Sequence, residues 1–342
     1  MTLHRIAAML VALAMAAAAS AQAAPKPLFA SDAMLHLTIR GPINQIARSA
    51  QQSRIPRDAV LMVQGAAPET LAIQLSPRGI TRRQRDVCQF PPLRVKFLGK
   101  PGPGSMFRGQ KQLKLVTHCQ NAASFQQYLL LEYSAYLMFN QLTPASYRVR
   151  LATIDYVDES NRPITTRLGY FLEDIDDVAA RNAMRHAVTA DRVSTSQLSP
   201  VDTARVALFE YMIGNMDWSM RAGPAGQGCC HNTRLLARST GGGLVPVPYD
   251  FDFSGLVDTP YAISPDGTTS VLKRRYMGYC AYNADAMAMA TAMRSARAPL
   301  LAALNPVALD ESTRRKATGY LNGFFNDIAD DQRTARVLKA CF

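Results

Sequence analysis

The chain has 342 residues, 48% of them hydrophobic and 19% charged, and 38 Lys and Arg against 26 Asp and Glu give a formal charge of +12. That length suits two substructures sharing a cleft better than one core. The positive balance favours anionic partners such as phosphates, nucleic acid or an anionic envelope component and equally suits a merely solvated basic surface, and nothing else indicates nucleic acid.

Met1 to Ala23 carries one cation, Arg5, an apolar Ala/Leu/Val/Met run, and a small-residue end, Ala21-Gln22-Ala23. This pattern predicts a cleaved secretory signal, hence a periplasmic or secreted protein. Its removal takes one charge from the +12 and leaves +11. No second apolar run is long enough for a membrane span. All six cysteines follow this segment, and an even count in an oxidising compartment predicts disulfides.

Short β-rich runs recur at Leu35 to Ile39, Val60 to Val63 and Leu71 to Leu75, which predicts an antiparallel sheet region extending to Phe97. A basic loop, Arg78 to Arg85, follows the third run and suits either a phosphate grip or a solvated turn. Leu93 to Phe97 and Gln112 to Leu115 alternate apolar and basic residues around a Gly/Pro-rich segment, Gly99 to Gly109, as in a long-looped hairpin. Its open end brings Cys88 and Cys119 together as a disulfide. The vicinal Cys229 and Cys230 are expected to reach Cys280 or Cys341 rather than each other.

Ser124 to Leu142 has a helical apolar stripe with Ser124 as cap, and a second hairpin spans Tyr147 to Tyr156 and Thr166 to Leu172. Glu173-Asp174 opens an acidic helix start running to His186, and Val201 to Met212 is a helix feeding a Gly214-Asn215 turn. Beyond it lie Asp217, a Gly-rich insert, His231-Asn232, and Tyr249-Asp250-Phe251-Asp252-Phe253. On a strand that last alternation puts the aromatics on one face and Asp250 with Asp252 on the other, where a divalent cation would relieve their repulsion. Two helices, Asp285 to Leu304 and Asp310 to Leu338, close the chain, with a basic cluster at Lys273 to Arg275 before them.

Gly214-Asn215-x-Asp217, His231-Asn232 and Pro248-Tyr249-Asp250-Phe251-Asp252, with Arg78-Gly79 and Pro91 to Phe97 upstream, resemble the spore coat protein H family of secreted, atypical kinase-like proteins. More distantly they resemble the HipA toxin kinases. The resemblance implies an α+β, two-lobed protein-kinase-like fold: a β-rich N-lobe with one long helix over 24–173 and a mainly helical C-lobe over 174–342. It makes Asp217 the catalytic base and Asn232 with Asp250 the ligands of Mg or Mn bound with ATP, and Asp252, on the same strand face as Asp250, is a further candidate ligand. Kinase chemistry also calls for a strand lysine paired with a helix glutamate, here Lys114, or Lys96, with Glu132, and Glu173 would edge the adenine slot. The partners implied are a nucleotide and a phosphate acceptor.

The sequence departs from the family in one place: fourteen residues, 218–231, separate Asp217 from Asn232 where relatives have only a few. That insert either bulges out or spoils the metal site. A second reading is a catalytically silent pseudokinase acting as an envelope binding or structural module. A third makes Asp217, Asp250 and Asp252 ligands of a metal-dependent phosphate-ester hydrolase, although His231 is the only histidine nearby.

Overall fold

A computed structural model of the protein describes residues 24–342 other than 66, 188, 268, 269 and 306, so the leader expected over Met1 to Ala23 lies outside the described residues. The first part of the chain runs β1 (Leu35–Arg40), α1 (Ile43–Ser49), β2 (Arg57–Val63), β3 (Glu69–Pro77), β4 (Leu93–Phe97), β5 (Gln112–Val116), α2 (Ala123–Leu142), β6 (Val149–Val157) and β7 (Pro163–Leu172). Strict alternation explains β4, where Leu93, Val95 and Phe97 are buried while Arg94 and Lys96 face water.

The seven strands close into a barrel in the order β1-β2-β3-β4-β5-β7-β6. This overturns the two-lobed kinase-like arrangement, although the α+β class stands. Closure comes from β1, which pairs antiparallel with β2 and parallel with β6, Leu35 standing opposite Ala152 and Arg40 opposite Val157. Both edges of β1 are thereby consumed, and these seven strands leave no open edge. Leu37, Ile39, Leu61, Ile73, Leu75 and Val95 fill the interior.

The rest of the chain is α3 (Ile175–Arg181), β8 (Met184–His186), α4 (Pro200–Ile213), β9 (Thr233–Arg238), β10 (Leu244–Pro248), α5 (Asn283–Ser295), α6 (Arg297–Ala302), α7 (Glu311–Asp327) and α8 (Asp331–Leu338). Strands β10, β9 and β8 form a small antiparallel sheet. The acidic helix is shorter than expected because Ala183 adopts a left-handed φ of 53°, after which β8 begins. Asp174 caps it by accepting from Asp176 N. Each expected closing helix is two: α5 and α6 break at Ala296, and α7 ends at Ile328 before Asp330 caps α8.

Helix α2 is buried on almost every side rather than along one stripe. One face lies on β6 and β7 and another meets α4 and α6, so the same core holds α2 and the helices of the second half. Its N-cap residue is Ala122, not Ser124. No helix among the described residues is long and apolar enough to cross a membrane.

Cys88 and Cys119 are joined as expected. The other pairing corrects the expectation: Cys229 bonds to Cys230, and Cys280 bonds to Cys341. The C-terminus is pinned beside Cys280 by Cys280 N donating to Phe342 O at 2.9 Å and Phe342 N to Gly278 O at 2.9 Å. That seating gives Cys280 its partner from the chain end and leaves the vicinal pair to itself.

Candidate functional site

The site begins where α4 stops. Gly214 takes the left-handed conformation, φ 67°, which L residues with a Cβ rarely adopt, and a Cβ there would lie 1.9 Å from the Tyr320 hydroxyl. Gly214→Ala is therefore expected to destabilise the protein by about 2–4 kcal/mol, read by denaturant unfolding, because both the backbone and the neighbour must shift. The turn beyond is fixed by Asn215. Its Oδ1 accepts from Asp217 N at 3.0 Å, and its carbonyl accepts from Trp218 Nε1 at 3.0 Å.

Asp217 is half-buried at this turn. His231 Nε2 donates to its Oδ1 at 2.7 Å, and Asn232 Nδ2 donates to its Oδ2 at 3.0 Å and its carbonyl at 2.7 Å. The hydrogen bond to Asp217, more than the opposing burial, holds the His231 imidazole above its ordinary pKa. The insert bulges outward without separating these residues. Asp191 ties it down by accepting from Gly226 N at 2.6 Å and Gly228 N at 2.8 Å, and His231 N donates to Ala222 O at 2.9 Å on the way back.

Strands β9 and β10 carry the chain from Asn232 to the second half of the site, where Tyr249 N donates to Asn232 O at 3.0 Å. Residues 249–253 are not the expected strand: β10 ends at Pro248, and Asp250 sits at φ 68° in the left-handed region. Its N–H donates to the Tyr136 hydroxyl of α2 at 2.9 Å. The turn sends Phe251 into the core between Tyr136 and Phe209, and Asp250 and Asp252 both reach one partner.

That partner is Arg82, from the basic loop between β3 and β4. Its Nη1 donates to Glu132 Oε2 at 3.1 Å, its Nε lies 3.2 Å from Asp252 Oδ2, and its Nη2 binds Asp250 Oδ1. Tyr261 also donates to Asp252 Oδ2 at 3.1 Å. Burial would lower the Arg82 pKa, but the three carboxylates outweigh it and hold the guanidinium charged. Burial pushes Glu132 and Asp252 up against the pull of Arg82. At Asp250 burial is outweighed by Arg82, Arg78 and Lys114, which hold its carboxyl below the ordinary value.

On the other side of Asp250 lies a cationic wall. Lys114 Nζ stands 4.9 Å from the Tyr249 ring centroid, and the Arg234 guanidinium 5.2 Å from it. Burial, then Arg78 and Arg234, lower the Lys114 pKa to about 7 against Asp250 and Asp174. Among the described residues Lys114 is in no ion pair. The expected Lys114–Glu132 pair is thus replaced by Arg82–Glu132. Lys96 faces outward on β4, away from this wall. Glu173 is 1% exposed and spent on structure: it accepts from Arg148 N at 2.9 Å and from Arg181 Nε and Nη2 at 3.0 Å each. The three-carboxylate hydrolase set is not assembled, since Asp217 faces His231 and Asn232 instead of joining Asp250 and Asp252.

Arg82, Arg234 and Tyr261 escaped the sequence reading as members of the site. A signal for Arg82 existed, because acids among aromatics need a counter-charge. A divalent ion fits the donor chemistry of Glu132, Asp250 and Asp252, whose ligand atoms lie within 4.8 Å of one another. It does not fit the site as folded, because the Arg82 guanidinium bonds to all three. Asn232 Oδ1 is in no hydrogen bond among the described residues, but Asp252 is turned away to Arg82 and Tyr261. No step is derived through a metal.

No protein-family model matches the chain, and no curated protein matches it.

Proposed function

We propose that the protein is an exported phosphotransferase, with Asp217 as the base that accepts the proton of an acceptor hydroxyl. The observation that supports this most is the pairing of a half-exposed carboxylate, oriented by His231 and Asn232, with the cationic wall of Lys114, Arg78 and Arg234 around Asp250. Phosphoryl transfer asks little covalent chemistry of a protein; it needs an oriented nucleophile and positive charge on the phosphoryl oxygens. In the reaction the acceptor oxygen attacks phosphorus, the bond from phosphorus to the donor's bridging oxygen breaks, and the hydroxyl proton passes to Asp217. Lys114, Arg78 and Arg234 would bear on the transferred group. The donor is a nucleoside triphosphate, and the basic balance of the chain suits an anionic envelope component as a further partner.

Three disulfides suit an oxidising compartment, the periplasm or the exterior, in keeping with the leader pattern of Met1 to Ala23.

One observation favours a second reading, a silent module that binds the phosphorylated ligand without transfer: Arg82, not a lysine, holds Glu132, and it fills the acidic triad. The two readings part in a melt of the disulfide-intact protein with ATP, run beside a transfer assay with radiolabelled ATP and envelope extract. A ligand binding only the native state raises the melting temperature with its concentration. A rise with labelled product supports transfer, and a rise without product supports the silent module. A folded protein that ignores every nucleotide and phosphate tried removes both.

A further inference from the structure

Three converging carboxylates in a folded interior demand a positive charge among them, since their mutual repulsion is little screened there. Glu132 and Asp252 are 2% and 4% exposed, and Asp250 is half-buried. A divalent ion is the usual solution for hard oxygen donors at this spacing. This chain supplies a guanidinium instead, which reaches all three carboxylates: Nη1 to Glu132, Nη2 to Asp250 and, at 3.5 Å, also to Glu132, and Nε to Asp252. A planar fork matches carboxylates in a way a lysine ammonium cannot, and it stays charged in a dry setting.

The arginine is also fixed in place. It lies in the short turn Thr81–Arg83, and its neighbours are tied down: Arg83 donates to Gly79 O at 2.8 Å and Ala50 O at 2.9 Å, Arg54 donates to Gly79 O at 3.0 Å, and Arg78 N to Pro92 O at 2.8 Å. The disulfide Cys88–Cys119 closes the same loop. A side chain poised to swing out would not come from a segment anchored on both sides.

We propose that Arg82 is the resident cation of this centre. It sits where a divalent ion would sit, excludes one, and fixes Asp250 facing Lys114, so the native protein binds its anionic ligand without a divalent metal. The corollary is that removing the side chain turns Glu132, Asp250 and Asp252 into a divalent-cation site. The statement about the ligand rests on the phosphate-binding reading above; the statement about cation exclusion does not.

The test uses the mature, disulfide-intact protein, with Mn2+ as the probe, followed by electron paramagnetic resonance and thermal melting. Wild type is expected to bind no stoichiometric Mn2+ and to melt at the same temperature with Mn2+ or EDTA. Arg82→Ala is expected to melt several degrees lower, to bind one Mn2+ per chain, and to regain much of the lost melting temperature in Mn2+. Arg82→Ala with Asp252→Asn removes one ligand along with the cation, and its melt should show little response to Mn2+. If Arg82→Ala folds poorly, it is refolded with Mn2+ present, and recovery of the fold counts as binding.

Stoichiometric Mn2+ binding by wild type that is lost in Asp250→Asn overturns the proposal, and that measurement needs no Arg82 variant. An Arg82→Ala protein that gains neither Mn2+ nor stability from it also overturns the proposal. If wild type ignores Mn2+ and also ignores nucleotides, cation exclusion stands and the phosphotransferase reading falls. If nucleotides raise its melting temperature equally in EDTA, both hold.

Discussion

Replacing Asp217 by Asn is expected to slow phosphoryl transfer about 10²–10⁴-fold, the range over which a positioned general base contributes, while ligand binding survives. The amide fills the same volume and can still meet Asn232, so the turn set by Gly214 and Asn215 should persist. What changes is charge. His231 owes its raised pKa first to the hydrogen bond it donates to Asp217, and a neutral amide removes that support. Its imidazole pKa should fall, visible in a histidine-resolved NMR titration.

The stability consequence has a definite sign. A histidine raised on folding contributes stability that is fully present below its unfolded pKa, about 6.5, and is lost as pH rises through the higher folded value. Asp217→Asn should thus lower the melting temperature at acid pH and leave it unchanged well above the folded pKa of His231. An unaltered rate with an altered His231 titration would show that the two groups form a structural pair, and would reject Asp217 as the base.

Which of these features could be read from sequence follows from the range over which each is determined. The alternation of Leu93 to Phe97 with Gln112 to Leu115 is local, and it yielded both the hairpin β4–β5 and the Cys88–Cys119 bond at its open end. Barrel closure is not local, for it depends on β1 lying parallel beside β6, Leu35 against Ala152, and nothing in either run marks the other. Asp217 and Asn232 are marked only by their order and their resemblance to a family motif, and the fold brings them together as a hydrogen-bonded pair. That the middle of the fourteen residues between them, 224–227, loops outward while Trp218, Met220, Cys229 and Cys230 stay buried depends in part on Asp191, which lies well before the turn and holds Gly226 and Gly228.

Alternation misled at Tyr249 to Phe253, where left-handed Asp250 turns the chain and hands two carboxylates to Arg82, 168 positions earlier than Asp250. Glu173 has the right type and place for a ligand contact. Arg181, one short helix later, claims it.

Lys114→Met is expected to raise the melting temperature of the ligand-free protein by a few degrees and to abolish stabilisation by phosphate or nucleotide. An ordinary structural lysine would show neither effect. Unfolded, this lysine binds its proton up to a pKa of about 10.4; folded, burial and the nearby Arg78 and Arg234 lower that to about 7. Between those two values the unfolded chain holds a proton that the folded chain has released, so stability rises with pH across that window, and below pH 7 the protein carries the whole cost of a charged, crowded lysine. The side chain is partly open to solvent, which reduces that cost to about 1–2 kcal/mol. Methionine keeps the stem's length and removes the charge, so the gap between variant and wild type should be widest below pH 7 and close toward pH 10.

An anion beside Lys114 reverses the sign. It restores the charged form, so binding takes up a proton above pH 7, and affinity should weaken by at most about tenfold per pH unit as pH rises beyond that point. Melts of both proteins across this range, with and without phosphate, read all of these effects in one series. A wild type whose stability is flat from pH 6 to pH 10, or a Lys114→Met protein that still gains stability from phosphate, would remove Lys114 from the site. Stability gained where binding is lost would instead identify a cation held at a cost by the fold, whose favourable partner is the ligand.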